Sequence, residues 1–420
     1  MNKSAKEDMP AGQVSHASAT EAIPDSNRPG SLIETDPKTA ATAPGTRRGF
    51  LLYFLRLGIF GFGGPIALAG YMQRDLVESR RWITQEDYSE GLAFAQMAPG
   101  PLAAQLAMYL GWVRYGRLGA TLVACTFILP SFIMVLALSM LYVHYGGLAW
   151  MQGVFYGVNA AVIAIIARSA YKLARTMLRQ DRLLWGLFGA SAAVTLWTQT
   201  ELVWVLVLCG VIALLVKAPP RIGRTSAAAF LPPWLVTGLL GSAAVGTLWK
   251  IFGFFAVSGA VVFGSGLAIV PFLHGGVVDH YHWLTERQFL DAVAVAMITP
   301  GPVVITVAFI GYLVAGLAGA ILAALGVFLP VYLFVIIVAP YFRRFSGSAR
   351  VRAFIAGVTA AVTGALAGAV LILGRRALVD MPALVIALGT LGILLGTKKV
   401  PEPLLIFAAG LAGFVLKSLS

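Results

Sequence analysis

Four glycine-rich breaks, three of them with proline, interrupt long apolar runs: Gly61-Phe62-Gly63-Gly64-Pro65, Pro99-Gly100-Pro101, Phe263-Gly264-Ser265-Gly266 and Pro300-Gly301-Pro302. Proline lacks the amide that a helix ladder needs and clashes with the preceding turn, while glycine takes conformations closed to other residues. A helix therefore breaks at each place. Pro65 and Pro101 then have the fixed backbone angle of a first helical position, so a new half-helix opens there. A half-helix that starts inside lipid presents unpaired N–H groups and about half a positive charge, an anion site made of backbone. Kinking and close packing are the competing reading of any one such motif. Four at corresponding positions favour the paired-break pattern of a transporter site.

The side chains around the breaks complete the candidate set. Arg56 lies inside the first apolar run, where a charge costs roughly 2.5–3.5 kcal/mol on insertion scales. It either meets an anion or snorkels to the interface. Gln96, Gln105, Thr299, Thr306 and Asn159 are polar in apolar surroundings and bond either substrate oxygens or neighbouring helices. Glu90 and Asp291 occupy matching positions, as proton carriers near the broken segment or as interfacial acids. Arg168, Lys172, Arg175, Arg179 and Arg182 form one basic helical face, read as a contact for anionic headgroups. Nothing completes a metal set around Asp279, His280 and His282. No flavin, haem or nicotinamide site is recognisable, so no cofactor is called for, and no P-loop or nucleophile elbow points to an ATP-driven pump or a hydrolase.

These residues need elements that hold them within a membrane. Of 420 residues, 59% are hydrophobic and 12% charged, against about 25% charged in soluble proteins. The formal net charge of +13 falls in short clusters between apolar runs, the pattern of cytoplasmic loops and not of a nucleic-acid face. Cys125 and Cys209 both lie in apolar runs and carry no redox signal.

The chain also repeats itself at an offset of about 200. Trp82-Ile83-Thr84 matches Trp283-Leu284-Thr285, Pro99-Gly100-Pro101 matches Pro300-Gly301-Pro302, and Gly111, Gly116, Gly119 and Pro130 match Gly311, Gly316, Gly319 and Pro330. Each copy reads as six apolar segments, about 50–70, 91–113, 118–143, 149–167, 183–198 and 201–216, then 251–273, 291–313, 317–341, 353–373, 380–396 and 401–418. Thr84 and Thr285 start helices with a capping-box pattern. The helix from 85 is expected to break near mid-membrane at Pro99 and to run on to about Val113.

Orientation turns on the apolar stretch Phe230–Trp249. If it spans, Arg343, Arg344, Arg350, Arg352, Lys398 and Lys399 fall on the same side as Arg114, Arg117, the Arg168–Arg182 cluster, Lys217, Arg221 and Arg224. The positive-inside rule favours that arrangement: thirteen helices, tail inside, C-terminus outside. The expected fold is thus an all-α polytopic membrane protein of two homologous six-helix repeats in inverted topology with broken helices. Its parts are a disordered cytoplasmic tail (1–47), a first repeat (48–217), a linker with an extra transmembrane helix (218–250) and a second repeat (251–420).

Phe62-Gly63-Gly64-Pro65, Trp82 with Thr84 and Tyr88, and Pro99-Gly100-Pro101, with a second copy behind them, resemble the chromate ion transporter family in its long two-domain form. The likeness covers about residues 48–418. It implies a multi-pass protein of the bacterial inner membrane that expels chromate and gives resistance to it, with sulfate as a structural mimic. The implied partners are a tetrahedral oxyanion and membrane lipids, with a homodimer left open. In the second copy Gly266 replaces Pro65 and Gly264-Ser265 replaces Gly63-Gly64, so equal roles for the halves are not expected. The expected mechanism is alternating access around a midplane site. A sulfate permease and, farther off, a lipid-handling membrane enzyme or scaffold are the alternatives.

Overall fold

Threonine caps start the first and third helices, and glycine or proline follows the end of each. The computed structural model describes residues 45–62, 64–145, 149–198, 203–219, 246–261, 266–342, 348–397 and 400–419. The tail up to residue 44, Gly63, Phe263, Gly264 and most of Phe230–Trp249 lie outside the described residues. Helix α1 (Arg47–Phe60) opens at Thr46, whose hydroxyl accepts the Gly49 N–H at 3.2 Å, and α2 (Gly64–Met72) runs on into a wide π-type turn, Gln73–Ser79. Helix α3 (Gln85–Met97) is capped by the Thr84 hydroxyl on the Asp87 N–H at 3.0 Å. It stops where Ala98 turns extended (φ −84°, ψ 145°), as the residue before proline prefers.

Helix α4 (Leu102–Tyr145) is two limbs, 102–114 and 117–145, joined at Tyr115 and Gly116. Gly116 has φ 63°, which favours glycine, and Gly111 and Gly119 let the limbs touch backbone to backbone. Added side-chain volume there forces the limbs apart. Gly119→Val is expected to cost on the order of 1–3 kcal/mol or more by overpacking, read as a lower melting temperature of the purified protein. An unchanged melting temperature would show that the limbs are not in contact.

The path through the first two breaks differs from the expectation. Along a straight helical path Gly91 and Tyr109 would stand about 27 Å apart. Instead the Tyr109 ring packs on Gly91 and stacks on Phe94 with centroids 5.4 Å apart. The half-helix after Pro101 therefore does not run on across the membrane. It doubles back beside α3, making a helical hairpin with Pro99-Gly100-Pro101 as its tip. The stretch from α1 to the π-type turn doubles back in the same way: the Phe50 and Trp82 rings lie 6.1 Å apart, and Arg80 sits 5.6 Å over the Tyr53 ring. The long limb of α4, then α5 (Ala149–Leu178), α6 (Arg182–Thr198) and α7 (Val203–Lys217), follow. Asp181, between α5 and α6, caps α6 through the Leu183 and Leu184 amides and pairs with Lys217 at the end of α7. That lysine holds its carboxyl below the usual range.

The second copy repeats this order with α8 (Thr247–Val261), α9 (Val270–His274) and its π-type turn Gly275–His280, α10 (Glu286–Ile298), α11 (Thr306–Val338), α12 (Ala349–Ala377), α13 (Met381–Gly396) and α14 (Glu402–Leu419). Phe254 of α8 stacks on Phe272 at 5.5 Å, so this hairpin also closes on itself. Ala315 and Gly316 (φ 60°) divide α11 where Tyr115 and Gly116 divide α4. Among the described residues four helices are long and apolar enough to cross a membrane.

Contacts between the copies fix their relation. Thr121 bonds Tyr332 at 2.6 Å, while Tyr142, further along α4, meets Phe309, earlier in α11, at 5.2 Å. The two long helices are antiparallel. Gly157 of α5 packs on Ala409 of α14, and Gly357 of α12 packs on Cys209 of α7, the same contact with the copies exchanged. Such reciprocal pairing is the mark of a two-fold relation. The copies are opposed, as the charge distribution indicates, and each seats its last helices on the other.

Candidate anion site

Exchange of helices brings the first tip of one copy against the second tip of the other. The Gly301 N–H donates to the Gly61 carbonyl at 2.9 Å. Gly301 has φ 101°, and a Cβ there would run into Ser131, so only glycine fits the junction. A cavity of about 500 Å³ opens beside this junction. Helix α2 begins on its wall at Gly64 (φ 75°) and Pro65, and the short turn Val303–Ile305 that leads into α11 begins there too. Two helix starts therefore lie on the wall, at two of the four breaks read from the sequence.

The predicted residues divide. Gly61, Phe62, Gly64, Pro65, Gln96, Thr299 and Gly301 line the cavity. Pro99, Gly100 and Pro101 form a second tip off the wall: Gly100 lies against Val331, and the buried Gln105 donates its Nε2 to the Pro99 carbonyl. Gly266 is buried against Val303 and Val304, Pro300 and Pro302 are buried beside Gly301, and Thr306 donates to the Val303 carbonyl at 2.8 Å. Arg56 is exposed on α1 and is not on the cavity wall. Glu90 is half-buried on α3. Asp291 is not at an exposed mouth. It is 2% exposed and accepts bonds from Asn159 Nδ2 and Tyr142 OH, each at 2.8 Å.

The sequence reading gives Arg168 and Lys172 to lipid headgroups and does not mark Glu402, yet all three line the cavity. Arg168 and Lys172 of α5 point into it, and Glu402 at the start of α14 faces Arg168 with Nη1 and Oε1 3.7 Å apart. The basic face of α5 therefore splits, because Arg175, one turn further on, is exposed and donates to Tyr171 OH at 3.1 Å. Helical spacing placed these residues on one stripe but gave no sign of where the cavity ends along it. Tyr88, also on the wall, is fixed by its bond to the Ala69 carbonyl at 2.9 Å.

The matching place in the other copy carries different residues. Arg168 and Lys172 correspond to Gly368 and Ile372, and Gln73 and Thr176 of the wall correspond to His274 and Arg376. His274, 4% exposed, has Nε2 3.0 Å from Glu286 and Nδ1 3.1 Å from Asp279, and Arg376 donates to Glu286 at 2.8 Å. Among the described residues one copy thus has cations on a cavity wall where the other has an ion-paired cluster.

Two stretches, residues 49–214 and 249–414, match the family model described as Chromate transporter. The chain belongs to the chromate transporter family. It is 56% identical over 378 residues to the "Chromate transport protein" of Cupriavidus metallidurans, covering 89% of this chain and 94% of that one. It is 54% identical to a "Probable chromate transport protein" of Synechococcus elongatus over 87% of this chain and 94% of the relative. A "Chromate transport protein" of Pseudomonas aeruginosa is 32% identical over 91% of this chain and 95% of its own length. No solved structure matches the chain. As a member of the chromate transporter family it is a multi-pass, two-repeat membrane protein, and its two matched stretches each contain one pair of broken hairpins.

Proposed function

We propose that this protein exports chromate across the bacterial inner membrane by alternating access and so confers resistance to it. The observation that carries this reading is the cavity at the junction of Gly61 and Gly301, where two helix starts and two cations line one space. Amides aimed inward replace the water around a tetrahedral oxyanion, and Arg168 and Lys172 balance its double charge. We read the cavity as the open side of a rocking carrier and the His274, Glu286, Asp279 and Arg376 cluster as its seal on the other side.

Orientation supports export. Each copy crosses the membrane an even number of times whether its hairpins span or double back, so opposed copies need an odd number of crossings between them. The apolar stretch that begins at Phe230 and precedes α8 is our candidate for one. With the tail cytoplasmic, Arg114, Arg117 and the end of α5 are cytoplasmic too, and the cavity opens inward to load substrate. A dianion leaving through 100 mV, interior negative, gains about 4.6 kcal/mol, more than a thousandfold in gradient, so export proceeds without a coupled ion. Chromate efflux from vesicles carrying the protein in one orientation, under imposed potentials of either sign, tests this. Efflux is expected to be faster with the interior negative, and equal rates at both polarities overturn the uncoupled mechanism. Backbone amides read charge and shape, not the central atom, so sulfate remains the second substrate, separable by competition against chromate and by direction of flux.

A further inference from the structure

We propose that Glu402 is a built-in competitor of the oxyanion: its carboxylate holds the cavity's cations when the site is empty and gives them up when a dianion binds. This rests on the reading of the cavity as the oxyanion site. Glu402 is the one acidic residue on the wall among the described residues, and the two basic ones, Arg168 and Lys172, stand one turn apart on α5 opposite it. At 3.7 Å the Arg168–Glu402 contact is longer than a hydrogen bond, so an oxyanion can take the guanidinium by making the shorter contact. The cations are confined to this copy, since Gly368 and Ile372 stand in their places in the other.

The physical consequence is selectivity by charge. With the carboxylate present, the empty vestibule carries one net positive charge instead of two, which lowers the cost of holding two cations at the bottom of a cleft. A dianion displaces the carboxylate and still gains attraction from both cations. A monoanion offers no more charge than the carboxylate it must displace, so it binds poorly. On release the carboxylate returns and competes for the same groups, which speeds departure. A carrier needs binding strong enough to load and weak enough to unload.

Purified full-length protein is titrated with sulfate, chromate and nitrate as wild type, Glu402→Gln, Glu402→Asp and Arg168→Gln, by calorimetry and by shift of the melting temperature. Glu402→Gln is expected to bind both dianions about tenfold more tightly, to bind nitrate detectably and to turn over chromate more slowly in vesicles. Glu402→Asp should restore the wild-type preference. If wild type binds chromate and Glu402→Gln binds it no more tightly, the competitor role is overturned while the site stands. A Glu402→Gln protein that is only less stable shows a tie between α5 and α14 and overturns it equally. If wild type binds neither dianion, or Arg168→Gln leaves their affinity unchanged, the site itself is misplaced and the inference falls with it.

Discussion

Replacing Arg168 and Lys172 together by glutamine is expected to lower chromate affinity by about a hundredfold or more. A hydrogen bond to a charged group contributes about 1.5–3 kcal/mol net, so each cation supplies roughly a tenfold to hundredfold factor, more for the partly buried Arg168 than for the more exposed Lys172. The helix-start amides at Gly64 and beyond Gly301 survive the change, which leaves weak binding. Arg175→Gln is the matched control: it removes the same charge one turn further along α5, on a residue that is exposed and bonded to Tyr171, and is expected to change affinity by less than about twofold. Binding titrations and initial rates of chromate uptake into inverted vesicles measure both. A folded double variant with wild-type affinity would place the substrate elsewhere, whatever its effect on rate.

Local rules were readable in the sequence and long-range pairings were not. Proline and glycine act on their own backbone, so the breaks at 61–65, 98–101 and 299–302 are visible from residue types alone, as are the Thr84 and Thr285 caps. The repeat offset and the Lys and Arg distribution likewise carry the opposed orientation of the copies. A break does not specify its angle, however. Whether the chain crosses or doubles back after Pro101 depends on Gly91 admitting the Tyr109 ring, a contact between residues that neither helix pattern links. The same limit explains the cavity. Pairing of Gly61 with Gly301, and of Arg168 with Glu402, depends on each copy seating its final helices on the other, which no pattern within one copy encodes. Arg56 attracted notice because it is a charge in an apolar run, yet it ends exposed on α1. Arg168, at the end of a basic stripe, reads as a headgroup contact, yet it lines the cavity.

Loosening the seal is expected to move the whole carrier. Arg376→Gln leaves Glu286 and Asp279 facing each other around His274 without the guanidinium that joins α12 to the second copy's hairpins. Arg376, Glu286 and Asp279 are about a quarter to a third exposed, so the Coulomb gain is screened and the seal contributes about 1–2 kcal/mol, a factor of five to thirty in the equilibrium between the two states. Ile372, 9% exposed, occupies on the sealed face the place that Lys172 occupies in the open vestibule. A cysteine introduced by Ile372→Cys, with Cys125 and Cys209 replaced by serine, reports opening through its rate of labelling by an impermeant maleimide from that face. Labelling is expected to rise five- to thirtyfold when Arg376→Gln is added, and chromate at saturating level on the open face should suppress it, because a ligand that prefers one state draws population from the other. Unaltered labelling in a folded Arg376→Gln protein would mean that the ion cluster anchors the hairpin without restraining any transition, and alternating access would need another seal.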